Sequence, residues 1–240
     1  VPTLVDWLLF VLVVLGLAVR AWFGMRTLRG LEDARAGSMR PRLWARAILT
    51  QWSMVAVLLA WWIVARRHPA DLGLALRPTW GLGGVLVGTG LITFVLRSQR
   101  RQVETDDDLA GRVRRRLGGV TRLLPHSREE WPGFASLAIT AGICEEILFR
   151  GFVTWHLSHL FTVYWAAALV QAVLFGLAHS YQGPKGVLAT GLAGLFFTAI
   201  VAVTGSLWAA MLLHAMVDLH SGALAWRVLS RGPAAPATTS

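Results

Sequence analysis

Seven apolar stretches, each close to the length of a bilayer's hydrocarbon core, constrain this chain more than any other feature. They lie near residues 4–24, 45–65, 80–96, 133–157, 161–179, 187–203 and 206–226. A helix needs about 20 such residues to cross that core, with a range of about 17–25. Trp7, Trp22, Trp44, Trp61, Trp62, Trp80 and Trp131 sit near the ends of these runs, where an indole bridges oil and headgroup. A composition of 55% hydrophobic and 15% charged residues agrees with a membrane protein. The chain therefore reads as all-α, a polytopic transmembrane helix bundle of about seven spans.

Charge patterning sets the orientation. The net charge of +10 falls in blocks between the apolar runs, so no nucleic-acid partner is expected. Alternate connections carry eighteen Lys and Arg on one side against three on the other. The positive-inside rule then predicts a multi-pass protein of the cell membrane, N-terminus outside and C-terminus cytoplasmic. Arg20 fits as a residue snorkelling to the inner face. Basic charge is nearly all arginine, Lys185 being the only lysine, and alanine is abundant, a bias expected of a bacterial, GC-rich source. The first run is too long for a signal-peptide core and is expected to be a retained anchor. One cysteine, Cys144, excludes an intramolecular disulfide or a multi-cysteine metal site.

Four regions are expected: a three-span region over 1–96, a charged cytoplasmic linker over 97–130, a four-span core over 131–226, and a disordered tail over 227–240. The linker should lie as helix or loop against anionic lipid. In the third run, Gly84 and Gly88 suit close helix packing.

Within the fourth run, GICEEILFRGF places Glu145, Glu146 and Arg150 among apolar neighbours. Each ionisable group at the bilayer centre costs about 2.5–3.5 kcal/mol, so three unpaired would cost roughly 8–10 kcal/mol. Glu146 and Arg150, four apart, share a helical face, while Glu145 is offset by about 100° and lacks a local partner. One carboxylate is thus spent and one is spare, although a purely structural role for all three fits this stretch equally well. Two further clusters follow: FGLAHSYQG with Phe175 and His179, and LLHAMVDLHSG with His214 and Asp218 four apart. At 1.5 Å per residue Glu145 lies about 18 Å into its span, and Asp218 is at a similar depth. One polar chamber in the inner half of the membrane, open toward the cytoplasm, accommodates them all. Such a set suits amide hydrolysis, a carboxylate deprotonating water while donors stabilise the oxyanion. It also suits Zn²⁺, which lowers the pKa of bound water toward about 7. Without an HExxH motif a zincin-like site is unsupported, and the two routes stay open.

EExxxR (Glu145, Glu146, Arg150), FxxxH (Phe175, His179) and HxxxN/D (His214, Asp218), in this order, resemble the CPBP intramembrane proteases. That family includes CAAX prenyl endopeptidases and proteins linked to bacteriocin processing or self-immunity. The similarity covers about residues 120–226. It implies a CAAX-protease-like core and an endopeptidase acting on a peptide or membrane-protein substrate in the bilayer. By resemblance Glu145 would be the general base on water and His179 would help hold that water. Glu146 with Arg150 would support the base, and His214 with the residue four later would form the oxyanion side. No cofactor is required in that mechanism; if zinc is present, Glu145, His179 and His214 would hold it. CAAX-type members usually carry Asn where Asp218 stands, and an ionised Asp cannot donate to an oxyanion.

Two other classes are carried forward: a non-catalytic membrane scaffold or immunity protein of the same fold, and a proton- or metal-coupled transporter. Cys144 is a helix-packing residue in preference to a thiol nucleophile. His156, His159 and His220 are expected at the interface, and His68 and His126 in loops without partners. Gly183, Gly186, Gly191 and Gly194 should permit a turn and close helix approach, and Gln171 a hydrogen bond within the bundle.

Overall fold

The computed structural model describes residues 1–30, 33–75 and 80–230. Those residues form helices and connections without a strand, so the chain is an all-α bundle. In chain order the α-helices are α1 (Leu4–Arg29), α2 (Asp33–Val64), α3 (Trp80–Thr105), α4 (Asp107–Leu117) and α5 (Trp131–Glu145). A π-helical segment, Glu146–Val153, continues α5 into α6 (Thr154–Ser158). Then come α7 (Tyr164–Ala178), α8 (Pro184–Thr204) and α9 (Trp208–Ser230). Helix thus occupies all seven apolar stretches. Four segments are long and apolar enough to cross a membrane, namely Leu4–Leu28, Arg35–Val64, Trp131–Ser158 and Pro184–Thr204. Their outward faces carry exposed Leu8, Leu12, Leu49, Ile63, Leu188 and Leu192, positions that a water-soluble fold would cover. This is a multi-pass membrane protein.

Glycine decides the two tightest pairings. Across α5 and α9, a Cβ built on Gly142 would stand 2.6 Å from the backbone nitrogen of Ala215. Across α7 and α8, one on Gly176 would stand 2.6 Å from the Val187 carbonyl and 3.2 Å from Gly191. Small residues let these backbones touch, the usual device for helix association in lipid. The expected packing role of Gly88 is not found, because a Cβ there would meet nothing within 4 Å. The side chain positions at Gly84 lie outside the described residues.

α1 and α2 share one core with the π-segment and α7, through Leu9, Val13, Val55, Leu58, Leu148 and Phe149. The charged stretch after α3 is largely helical. α4 turns Leu109, Ala110 and Val113 onto Val103 of α3 and Val228 of α9. Arg40 of α2 pairs with Glu130 at 2.8 Å, and Trp44 donates to the Leu123 carbonyl at 3.0 Å, fastening this stretch to α2. α9 runs through Ser230, so the tail expected from 227 begins inside a helix, and 231–240 lie outside the described residues.

A second polar network stands at the other end of α1. Asp6, fully buried, accepts two hydrogen bonds from Arg67 at 2.6 Å each and one from Trp61 Nε1 at 2.9 Å. Its remaining capacity is filled by the Thr3 backbone at 2.6 Å and hydroxyl at 2.7 Å. The Arg67 guanidinium lies over Trp62 and Trp155, at 4.9 and 4.5 Å from the ring centroids. Removing one partner of such a pair leaves a buried charge. Asp6→Ala should therefore lower stability by about 3–5 kcal/mol, read as a fall in the thermal midpoint in detergent.

Three histidines depart from expectation. His156 is fully buried, stacked on Phe10 with centroids 4.8 Å apart and edge-on to Trp7 at 4.4 Å. The aromatic residues of α1 cover it, which its place near a helix end did not reveal. His68 accepts from the Ala70 backbone at 3.2 Å. A ring nitrogen of His126 lies 2.9 Å from the Thr121 carbonyl, so neither loop histidine lacks a partner.

Candidate active site

The π-segment places the carboxylates. A π-helix widens the i→i−4 ladder to i→i−5 and is found mostly as a short insert, often at functional sites. Thr154 adds a side-chain bond of that spacing, its hydroxyl donating to the Phe149 carbonyl at 3.1 Å. All eight residues of the segment are buried, so Glu146 and Arg150 face the interior of the bundle.

Glu146 meets its partners through one oxygen, and its buried Oε2 has no hydrogen-bond partner among the described residues. Its Oε1 lies 3.0 Å from Arg150 Nη1 and 2.7 Å from His214 Nδ1. The Arg150–Glu146 contact is close, but its direction is poor for hydrogen bonding, and among the described residues no guanidinium nitrogen of Arg150 finds a hydrogen-bond partner. Aromatic faces compensate: Arg150 lies 4.0 Å from the Phe175 centroid and 5.4 Å from that of Phe197. Gly194 leaves room for it, since a Cβ there would come 3.3 Å from Nη2. The same two rings hold His214, which stacks on Phe197 at 5.0 Å and 16°. His214 Nε2 looks toward Asp218, 3.6 Å away.

Glu145 is different. It accepts no hydrogen bond from any described residue, and His179 Nε2 lies 3.9 Å from its Oε2. The side chains of Glu145 and His179 are 14% and 16% exposed and that of Asp218 is 37% exposed, whereas Glu146 is at 0%. The cluster therefore has a closed end at Glu146 and an open end at Glu145. His179 caps α7, its Nδ1 2.8 Å from the Phe175 carbonyl, which turns Nε2 to the open end. Beyond it, Gly183 takes φ +82° and permits the turn into α8. Gln171 and Thr198 hydrogen-bond at 2.9 Å and tie α7 to α8.

The structure thus brings together Glu145, Glu146, Arg150, His179, His214 and Asp218. It adds residues that the sequence did not single out. Phe197 had no signal beyond its apolar character. Tyr181 lies 5.8 Å from the His179 ring, and burial pushes its phenol up to about 12, so it stays a neutral hydroxyl. Arg20 is half-buried, with its Nε shut away from solvent. Cys144 is buried and faces the apolar core.

For a metal ion the fit is poor. No three His, Cys, Asp or Glu side chains among the described residues are grouped so as to hold one.

A carboxylate–imidazole cluster thus lies inside the apolar helices of the bundle. Residues 127–220 match the family model described as "Type II CAAX prenyl endopeptidase Rce1-like". That match is consistent with the CPBP, or CAAX-protease, family, and no curated protein and no solved structure matches the chain. The matched segment spans every residue of the cluster from Glu145 to Asp218 and excludes α1 to α4.

Proposed function

We propose that this protein is an intramembrane endopeptidase in which Glu145 activates a water against a peptide bond. The family match supports an intramembrane protease in general. The observation that carries the finer reading is the division of labour between adjacent glutamates: Glu146 is buried and doubly partnered, while Glu145 is open and unbonded. At a separation of 3.9 Å, Glu145 and His179 Nε2 can each reach one water placed beside both. Glu145 takes its proton as the oxygen attacks the carbonyl carbon, then returns that proton to the leaving amine.

His214 serves the opposite side. In this scheme Glu146 accepts from Nδ1, so Nδ1 carries the hydrogen. Nε2 can then donate to an oxyanion only in the imidazolium form, and Asp218 at 3.6 Å supplies the compensating negative charge. Asp218 in this scheme is a positioning residue and not a donor. Asp218→Asn, which keeps an acceptor facing His214, should reduce turnover by no more than about tenfold, whereas Asp218→Leu should cost about a hundredfold. Comparing kcat for the two variants on one peptide checks this; equal losses would contradict it.

We further propose that the catalytic work belongs to residues 131–226, with 1–96 as a supporting region and 97–130 on the cytoplasmic side. The chamber would open toward the cytoplasm, the N-terminus lying outside, in a bacterial cell membrane. The test is cleavage of a fluorogenic peptide library by the purified protein in lipid, beside Glu145→Ala and His179→Ala, each with and without a chelator. Cleavage lost in both variants and indifferent to the chelator is the expected result. Loss on chelation restored by Zn²⁺, or equal cleavage by all three proteins, would overturn the scheme.

A further inference from the structure

We propose that the cavity between the C-terminal half of α1 and the Ser180–Gln182 turn is a specificity pocket that takes one large apolar side chain of the peptide substrate. The inference rests on the protease reading and draws on α1, which lies outside the matched segment 127–220. Trp22, Met25 and Arg26 stand at i, i+3 and i+4, so they share one face of α1. α1 packs against the Ser180–Gln182 turn. Between the two, Trp22, Met25, Arg26 and Tyr181 line a cavity of about 150 Å³. One ring joins it to the reaction centre: Tyr181 lies 5.8 Å from the His179 ring, and His179 Nε2 lies 3.9 Å from Glu145.

Both walls are held in place. Gln182 Nε2 donates to the Tyr181 hydroxyl at 3.2 Å, and the Thr190 hydroxyl donates to Gln182 Oε1 at 3.3 Å. On α1, Met25 is buried, and the Arg26 guanidinium lies 5.3 Å from the Trp22 ring centroid. Trp22 is 45% exposed, which leaves the cavity open to an entering group. Size and chemistry name the occupant. An apolar cavity of about 150 Å³ accepts a benzene ring. Indole, thioether and phenol faces line this one, so Phe, Leu or Met fits and a small polar side chain leaves it part-empty. Arg26 brings hydrogen-bond donors to the lining, which a peptide carbonyl can use and a lipid acyl chain cannot. An extended peptide advances about 3.3 Å per residue, so the side chain belongs about two or three residues from the scissile bond.

The full-length Glu145→Gln protein in phosphatidylcholine nanodiscs is incubated with a random peptide pool, and bound peptides are sequenced. Peptides with Phe, Leu or Met at one fixed position should be enriched about tenfold over those with Ser there. Met25→Trp, added to fill the cavity, should abolish that preference, and Met25→Ala, which enlarges it, should shift the preference toward Trp. A merely structural role would weaken all peptides alike and leave the preference where it was. No positional preference, a preference unmoved by both substitutions, or no bound peptide overturns the assignment. So does crosslinking of a diazirine-bearing phospholipid chain to Trp22 or Met25 that no peptide displaces. Cleavage by the protein with Glu145 intact is scored separately. Cleavage without apolar preference sinks this inference alone, and apolar selection in binding without cleavage sinks the protease reading alone.

Discussion

Glu145→Gln should leave a folded protein that no longer cuts, with turnover down by about 10²–10⁴-fold, the range attributed to a positioned general base. The amide keeps the size of the side chain and loses only the ability to take a proton. Because Glu145 bonds to no described residue, its loss strands nothing. Glu146→Gln, one residue on, should behave otherwise. It removes the charge facing both Arg150 and His214 in a fully buried setting. A buried guanidinium left without its counter-ion costs about 3–5 kcal/mol, so activity and stability should fall together. Cys144, the single cysteine and completely buried, provides the readout: a thiol-reactive dye reports unfolding as that thiol becomes accessible. An unfolding midpoint unchanged in Glu145→Gln and lowered in Glu146→Gln is expected. A Glu145→Gln protein that retains turnover would remove the base from the scheme.

Gly142→Ala should be nearly as damaging, without touching a polar atom. The new methyl would lie 2.6 Å from the Ala215 nitrogen and 2.8 Å from its Cα, and backbone cannot swing aside as a long side chain does. α5 and α9 must separate, and with them Glu146 and the adjacent His214, whose 2.7 Å contact spans that same seam. Overpacking of this kind costs about 1–3 kcal/mol. The displacement of the site should add a loss of activity of about a hundredfold, since small misplacements of catalytic groups are expensive. Gly88→Ala is the matched control. Its Cβ would meet open space, and it should change stability by no more than about 0.5 kcal/mol. Parallel kcat and thermal-midpoint measurements on the two variants check the pair.

Much of the architecture was legible because it depends on composition and local spacing. Apolar runs of bilayer length mark the helices whatever their neighbours, and the i, i+4 spacing of Glu146 and Arg150 survives in the π-segment as a 3.0 Å contact. The π-helical register itself carries no apolar period that sets it apart, so a plain α-helix was expected there. Tertiary pairings were the least legible. Asp6 and Arg67 lie 61 residues apart, and nothing local announces that Trp61, Trp62 and Trp155 surround them. His156 looked interfacial by position along the chain, yet α1 buries it. Trp22 was visible near the end of an apolar run, but which face of α1 meets Tyr181 is a matter of packing. The link from Glu146 to His214 likewise depends on the Gly142–Ala215 approach, a property of two helices together.

The central claim is that water, made nucleophilic by Glu145, attacks the peptide bond directly. Mass spectrometry of a single turnover in ¹⁸O-labelled water, on a peptide taken from the cleavage library, tests it most directly. Direct attack predicts one ¹⁸O atom in the newly formed carboxyl group, protein of unchanged mass at every time point, and no product from Glu145→Gln. An acyl adduct on Cys144 or on either glutamate, or an unlabelled new carboxyl group, would contradict it.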